Sequence, residues 1–318
     1  MTDKQMNRWL RRRFSVIGWL LLLYYGLMTL LTSVTAAVDA VRQTLWAFAA
    51  GDFAGNLDWD RLYSNGWGYL AAIFVGLAVL HAWKGDTYWE QELFRKEKSM
   101  NRKTFLCVLV FCMGAQMVNS LWISLLELLM NGFGKSVMPI LESVAGSSDT
   151  FSMFLYASIF APVWEELLFR GYVLRTLRPY GKRFAIFGSA LLFGLFHGNL
   201  LQTPYAVIMG LVLGYVTVEY SVGWAVCLHM FNNLVLADLL TRLTAAWSEA
   251  SLGVLNLILF GGSAVISLVI LLRNRREIRS YQKTEWMDRR CLKCLFTSAG
   301  FVALALLMCT NMVILFLV

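Results

Sequence analysis

Charge is scarce in this chain. Of its 318 residues only 15% are Asp, Glu, Lys or Arg, against 58% hydrophobic, and the mean hydropathy is +0.59. Soluble domains carry roughly 25% charged and 45–50% apolar residues, so a soluble globular protein is excluded. No long polar tail or linker sets off a soluble domain, and no internal repeat suggests the duplicated halves of a transporter. Cysteine adds little. Cys107, Cys112, Cys227 and Cys309 lie in apolar runs as small core residues. Cys291 and Cys294 form a lone CxxC without the further ligands a zinc site needs. The first apolar run follows Arg11-Arg12-Arg13 and lacks a clean small-residue cleavage site, Thr35-Ala36-Ala37 being a poor one. It reads as a retained span rather than a signal peptide.

What the chain has instead is a series of apolar runs near or above the roughly 20 residues that carry a helix across hydrocarbon. They fall at about 14–38, 67–83, 104–130, 151–174, 184–200, 205–220, 224–240, 252–272 and 296–318, the fifth and sixth being short. The expected fold is all-α, a polytopic transmembrane bundle of eight or nine spans, with 1–318 as a single integral domain. Gly210 and Gly214, four apart, signal close helix packing. The N-terminal arm, 84–103, 175–183 and 273–293 are rich in Lys and Arg, whereas 39–63, 131–150, 201–204 and 241–251 are not. The positive-inside rule then puts the N-terminus and the basic connections in the cytoplasm, in a plasma or inner membrane. The net charge of +8 therefore meets anionic headgroups, and nucleic acid is not an expected partner.

The rare polar residues concentrate in 150–240, the expected catalytic core. Glu165, Glu166, Arg170, His197, His229 and Asn233 all lie inside segments that otherwise read as spans. Charge in hydrocarbon costs a few kcal/mol per residue, so it marks function or a specific internal pair. Glu166 and Arg170 are four apart and share a helix face, which suits an ion pair. Glu165 lies about 100° round the helix and is free to face a cavity. By helical rise Glu165 is roughly 15 Å from the basic connection at Arg175, and His229 about 12 Å from the turn near Ser221. Three helices can thus bring Glu165, His197 and His229 together below the cytoplasmic surface. A carboxylate and a histidine around one water can remove its proton, while a second histidine and an asparagine amide can hold an oxyanion. The same Glu165, His197 and His229 can instead bind zinc, although the His-Glu-x-x-His motif is absent. Helix–helix hydrogen bonding without catalysis is the plainer alternative. His81, beside Trp83 and Lys84, reads as interfacial, and Glu127, Glu219 and Asp238 sit near span ends.

In chain order the cluster resembles the CAAX-processing and bacteriocin-processing (CPBP, or Abi) family of intramembrane proteases. The first motif stands as Glu165-Glu166-Leu167-Leu168-Phe169-Arg170, continued by Gly171-Tyr172. The second, Phe-x-x-x-His, is Phe193 to His197, and the third, His-x-x-x-Asn, is His229 to Asn233. The resemblance implies that Glu165 and His197 activate water, and that His229 and Asn233 stabilise the oxyanion. Glu166, Arg170 and Phe193 take supporting places. It also implies a membrane-associated or lipid-modified peptide or protein as substrate, and it leaves a zinc requirement open. A peptide-binding or immunity protein without hydrolysis, or a proton or solute pathway, are the readings from other classes.

Overall fold

The computed structural model describes residues 2–51, 56–93, 95–145, 150–284 and 288–317. Parts of the expected connections 39–63, 84–103, 131–150 and 273–293 therefore lie outside the described residues. The described chain is helical throughout, with no strand. We number the principal helices α1 (Asp3–Ala49), α2 (Trp67–Lys84), α3 (Arg102–Asn131), α4 (Phe151–Tyr180), α5 (Lys182–Phe196), α6 (Thr203–Glu219), α7 (Val222–Thr244), α8 (Glu249–Arg273) and α9 (Ala299–Leu317). Six of them, α1 to α4 with α7 and α8, are long and apolar enough to cross a membrane. A seventh crossing is made if α9 is joined to the short helix Arg289–Phe296, from which it bends by 60°. The short fifth and sixth runs are α5 and α6, which make up the remainder of the expected bundle.

Local sequence sets the helix starts. Thr2 and Gln5 form a capping box on α1, Asn101 caps α3 through the Thr104 amide, and Ser221 caps α7 through that of Trp224. One boundary needs correction. The helix that carries the first span does not stop near Val38 but continues to Ala49, so the start of the expected connection 39–63 is helical. No glycine or proline interrupts the sequence between Gly26 and Gly51. Thr29, Thr32, Thr35 and Thr44 turn their hydroxyls back onto carbonyls of the same helix, so their polarity is absorbed locally. Gly51, at φ +79°, supplies the left-handed turn that ends the run.

Packing explains two glycine pairs. A methyl on Gly210 would lie 2.8 Å from the Ala190 Cα, and Gly214 sits against Ile186, so α5 and α6 form a close hairpin. At the crossing of α1 and α9, a methyl on Gly18 would lie 2.1 Å from the Gly300 carbonyl carbon. The Gly300 amide donates to Ser15 Oγ at 2.8 Å in the same contact. Residues of α1, α2, α4, α5 and α9 share the main core, and α3, α6 and α7 build a second one.

The basic connections gather at one end of the bundle. Lys98 reaches Glu219 at the end of α6 at 2.8 Å, Tyr281 donates to the same carboxylate at 3.2 Å, and Arg178 pairs with Glu97 at 2.9 Å. Arg183 donates to the Gln282 carbonyl at 2.8 Å, and Arg290 meets Asp3 at 2.8 Å. The basic connection 84–103 is more than a charged loop. Its π-helical turn Tyr88–Leu93 buries Tyr88 and Leu93 in the main core. At the opposite end the Gly66 amide donates to Ser152 at 3.0 Å, and the Trp122 indole to the Leu200 carbonyl at 3.0 Å. This division into two ends matches the grouping of basic and non-basic connections read from charge.

Candidate active site

The site is built where α4, α5 and α7 meet. Near it α4 and α7 depart from α-helical winding. Leu155–Phe160 and Leu167–Leu174 in α4, and Phe231–Leu239 in α7, are π-helical. Such widened turns free backbone groups and re-aim side chains, and they recur at functional sites. Pro162 accounts for one of them. The Ala161 amide already bonds five residues back, to the Tyr156 carbonyl. In that register the Ala157 carbonyl would look to residue 162, which as proline has no N–H. The vacant acceptor is taken by the Asn233 side-chain amide at 3.1 Å. A proline in the first motif's helix thus docks the asparagine of the third motif.

Glu166 and Arg170 form the ion pair their spacing predicts, with Glu166 Oε1 and Arg170 Nη1 3.0 Å apart and both side chains at 0% exposure. The contact is close for charge but off the line of a good hydrogen bond, and no guanidinium nitrogen of Arg170 has a hydrogen-bond partner among the described residues. What else compensates the cation is the Phe193 ring, whose centroid lies 4.3 Å from Arg170 Cζ. Phe193 also meets the His197 ring edge-on at 4.8 Å and the His229 ring at 5.8 Å. It touches residues of all three motifs, a role its spacing alone did not disclose.

His229 stands between the two glutamates. Its Nδ1 lies 2.8 Å from Glu166 Oε1, and its Nε2 lies 3.7 Å from Glu165 Oε2. A carboxylate only accepts, so Nδ1 carries the proton toward Glu166 and Nε2 turns a lone pair toward Glu165. Glu165 is 22% exposed where Glu166 is sealed. Tyr24 and Tyr156 stand within the field of the Glu165 carboxylate. His197 donates from Nδ1 to the Phe193 carbonyl at 2.8 Å, which leaves its Nε2 unprotonated and available.

Asn233 Oδ1 accepts from Asn232 Nδ2 at 3.0 Å. Asn232 is fixed in turn by Gln116 at 3.0 Å and by the Tyr205 hydroxyl at 2.6 Å, both donating to its Oδ1. This buried polar chain from α3 and α6 was not read from the sequence, since neither Gln116 nor Tyr205 belongs to a motif. The structure therefore joins Glu165, Glu166, Arg170 and His229 directly, ties His197 to them through Phe193, and anchors Asn233 on α4. It does not join Glu165, His197 and His229 as a metal cage. Among the described residues no group of three or more His, Cys, Asp or Glu side chains is placed to hold a metal ion. Outside the cluster, His81 lies 3.4 Å from Asp86, Asp238 pairs with Arg242 at 3.0 Å, and Glu127 accepts from the Val137 amide at 2.8 Å.

The fold and the site together define a polytopic helical membrane protein with a buried glutamate–arginine–histidine cluster. The family model described as Rce1-like, type II CAAX prenyl endopeptidase Rce1-like, matches residues 147–235, under a third of the chain. This segment holds all three motifs, and the match is consistent with the CPBP family. No curated protein and no solved structure matches the chain.

Proposed function

We propose that the protein is an intramembrane endopeptidase that hydrolyses a peptide bond in a membrane-associated, lipid-modified substrate, a prenylated chain being the class its family suggests. The observation that carries this reading is the bracketing of His229 by two carboxylates of opposite environment, one sealed and paired with Arg170, the other accessible. The 3.7 Å between Glu165 Oε2 and His229 Nε2 is too long for a direct hydrogen bond and brings both atoms within reach of one water lying beside them. Both atoms accept, so a water there is aligned to lose a proton as its oxygen attacks the carbonyl. Glu165 takes that proton and His229 Nε2 relays it, the imidazolium being stabilised by Glu166 as a buried carboxylate stabilises the histidine of a triad. The proton then passes to the leaving amine as the C–N bond breaks, and the products are a carboxylate and a free amine.

His197, its Nε2 unprotonated, gives the water a second acceptor, in keeping with the family's pairing of that residue with the first glutamate. Asn233 spends one N–H on the Ala157 carbonyl and keeps the other for the oxyanion. His229 joins Asn233 as an oxyanion donor only after it has gained the proton. No step is routed through a metal, because the side chains are not gathered as a ligand set. Metal content and chelator sensitivity of the purified, active protein test that point.

Glu165→Ala and His229→Ala are expected to abolish cleavage of a farnesylated peptide ending in Cys-aliphatic-aliphatic-X while leaving folded protein in the membrane. Cleavage at the wild-type rate by either variant would sink the mechanism. A cytoplasm-facing site in the plasma or inner membrane follows from the charge of the connections, and cysteine accessibility at Arg178→Cys in sealed vesicles tests it.

A further inference from the structure

A cavity of about 620 Å³ lies at the basic end of the bundle, remote from the cluster of α4, α5 and α7. It is lined by Lys4, Asn7, Arg8, Arg11, Arg12 and Ser15 of α1 and by Thr297 and Ala299 at the start of α9. Its shape follows from the packing already described. Gly18 and Gly300 bring the backbones of α1 and α9 into contact, which closes the floor. Just beyond, the chain bends by 60° between Arg289–Phe296 and α9, and the corner at Thr297 and Ala299 leaves a wedge against the face of α1.

The lining is selective in charge. Lys4, Arg8, Arg11, Arg12 and Ser15 recur at helical spacing, so one face of α1 lines the wedge. The neighbouring Asp3 is taken by Arg290, 2.8 Å away, and among the described residues none of the four cations is joined to a carboxylate. Arg13, by contrast, leaves the cluster and lies over the Trp9 ring at 5.2 Å. The first residues of α9 add the partial positive charge of a helix start, and Ser15 and Thr297 add hydroxyls. Concentrated cations, hydroxyls and a helix start in one concave site suit a phosphate oxyanion. Along the same two helices, Val16, Trp19 and Leu23 of α1 and Val302 and Leu306 of α9 are exposed, an apolar flank continuous with the wedge. A free phosphate would have no use for that flank, whereas a phospholipid would cover it with its acyl chains.

We propose that this wedge is a binding site for an anionic phospholipid, with the headgroup phosphate held by Lys4, Arg8, Arg11 and Arg12 and the chains lying along α1 and α9. It differs from the general attraction of basic connections to an anionic surface, because it assigns the contact to one cavity. Lipid composition would then act on the α1–α9 contact, which shares the main core with α4.

Native mass spectrometry of the full chain in detergent, with added phosphatidylglycerol, phosphatidylcholine or sodium phosphate, tests the assignment. The wild type is expected to retain phosphatidylglycerol, and the triple variant Arg8→Gln, Arg11→Gln, Arg12→Gln to bind it at least tenfold more weakly. Removing three exposed cations of the same end outside the wedge, by Arg275→Gln, Arg276→Gln and Arg279→Gln, is expected to leave binding unchanged. Equal losses in the two triple variants, equal retention of phosphatidylcholine, or full competition by millimolar phosphate would overturn the proposal. Should the first variant fail to insert, a photoreactive phosphatidylglycerol added to the wild type reads the same contact. Adducts on residues 4–15 and 297–299 are expected, and labelling only elsewhere overturns the site.

Discussion

Arg170 offers the most demanding test of the buried cluster, because its compensation is so narrow. The guanidinium is fully buried, has a single carboxylate contact at 3.0 Å, no hydrogen-bonded nitrogen among the described residues, and one aromatic face at 4.3 Å. Removing one partner of a buried pair leaves the other charge uncompensated and costs about 3–5 kcal/mol. Glu166→Gln should reach the upper part of that range, since it strands Arg170 with only the ring and the more distant Glu165. Arg170→Met should fall lower, because His229 still donates to Glu166 at 2.8 Å. The double variant removes both charges, so the losses should not add, and a coupling of about 2–3 kcal/mol is expected from residues in such contact. Equilibrium unfolding of the four proteins by sodium dodecyl sulfate in mixed micelles gives the cycle. Single variants within about 1 kcal/mol of wild type, the range of an exposed pair, or additive losses in the double variant, would show that the pair is not the buried, isolated unit described.

Phe193→Leu removes the face that Arg170 packs on and should cost about 2 kcal/mol beyond its lost volume. An unchanged unfolding midpoint would show that the cation does not depend on the ring. Gly300→Ala places a methyl 2.0 Å from the Ser15 carbonyl oxygen and should force α1 and α9 apart at a cost of about 1–3 kcal/mol, visible as a lower midpoint. Lys98 is held protonated above its ordinary range, first by its hydrogen bond to Glu219 and then by that residue's charge. Its contribution is therefore full below the ordinary value of 10.5 and fades as pH rises through the raised one. The stability difference between wild type and Lys98→Met should hold constant at pH values well below 10.5 and shrink as pH rises above it, and a difference that grows with pH would contradict it.

Much of this was legible because the sequence is so poor in charge. In a chain with 15% charged residues, Glu166 and Arg170 four apart inside an apolar run have few alternatives to each other. Gly210 and Gly214 likewise announced a close contact that the structure gives to Ala190 and Ile186. The helical order of the spans could be read from hydropathy alone. Glu165 and Glu166 both lie in the α-helical stretch Ala161–Glu166, and the step of about 100° between them separates an accessible carboxylate from a sealed one. What spacing could not show is that both still reach one imidazole from another helix. Nothing local could assign Gln116 or Tyr205 to Asn232, since those contacts join helices 27 and 116 residues apart in sequence. The extension of α1 to Ala49 was hidden for a different reason. Asp39, Arg42 and Gln43 look like a connection, yet polar side chains on an exposed helix face cost little, and no glycine or proline breaks this stretch before Gly51.

The central claim is that Glu165 and His229 share the work of activating water. Its most direct measurement is the single-turnover cleavage rate of a farnesylated Cys-aliphatic-aliphatic-X peptide by purified protein in nanodiscs, compared with the isosteric Glu165→Gln variant of equal unfolding midpoint. The wild type should release the C-terminal fragment, and the variant should be slower by about 10²–10⁴-fold, the usual contribution of a positioned base. Equal rates, or no release by the folded wild type, would contradict the account.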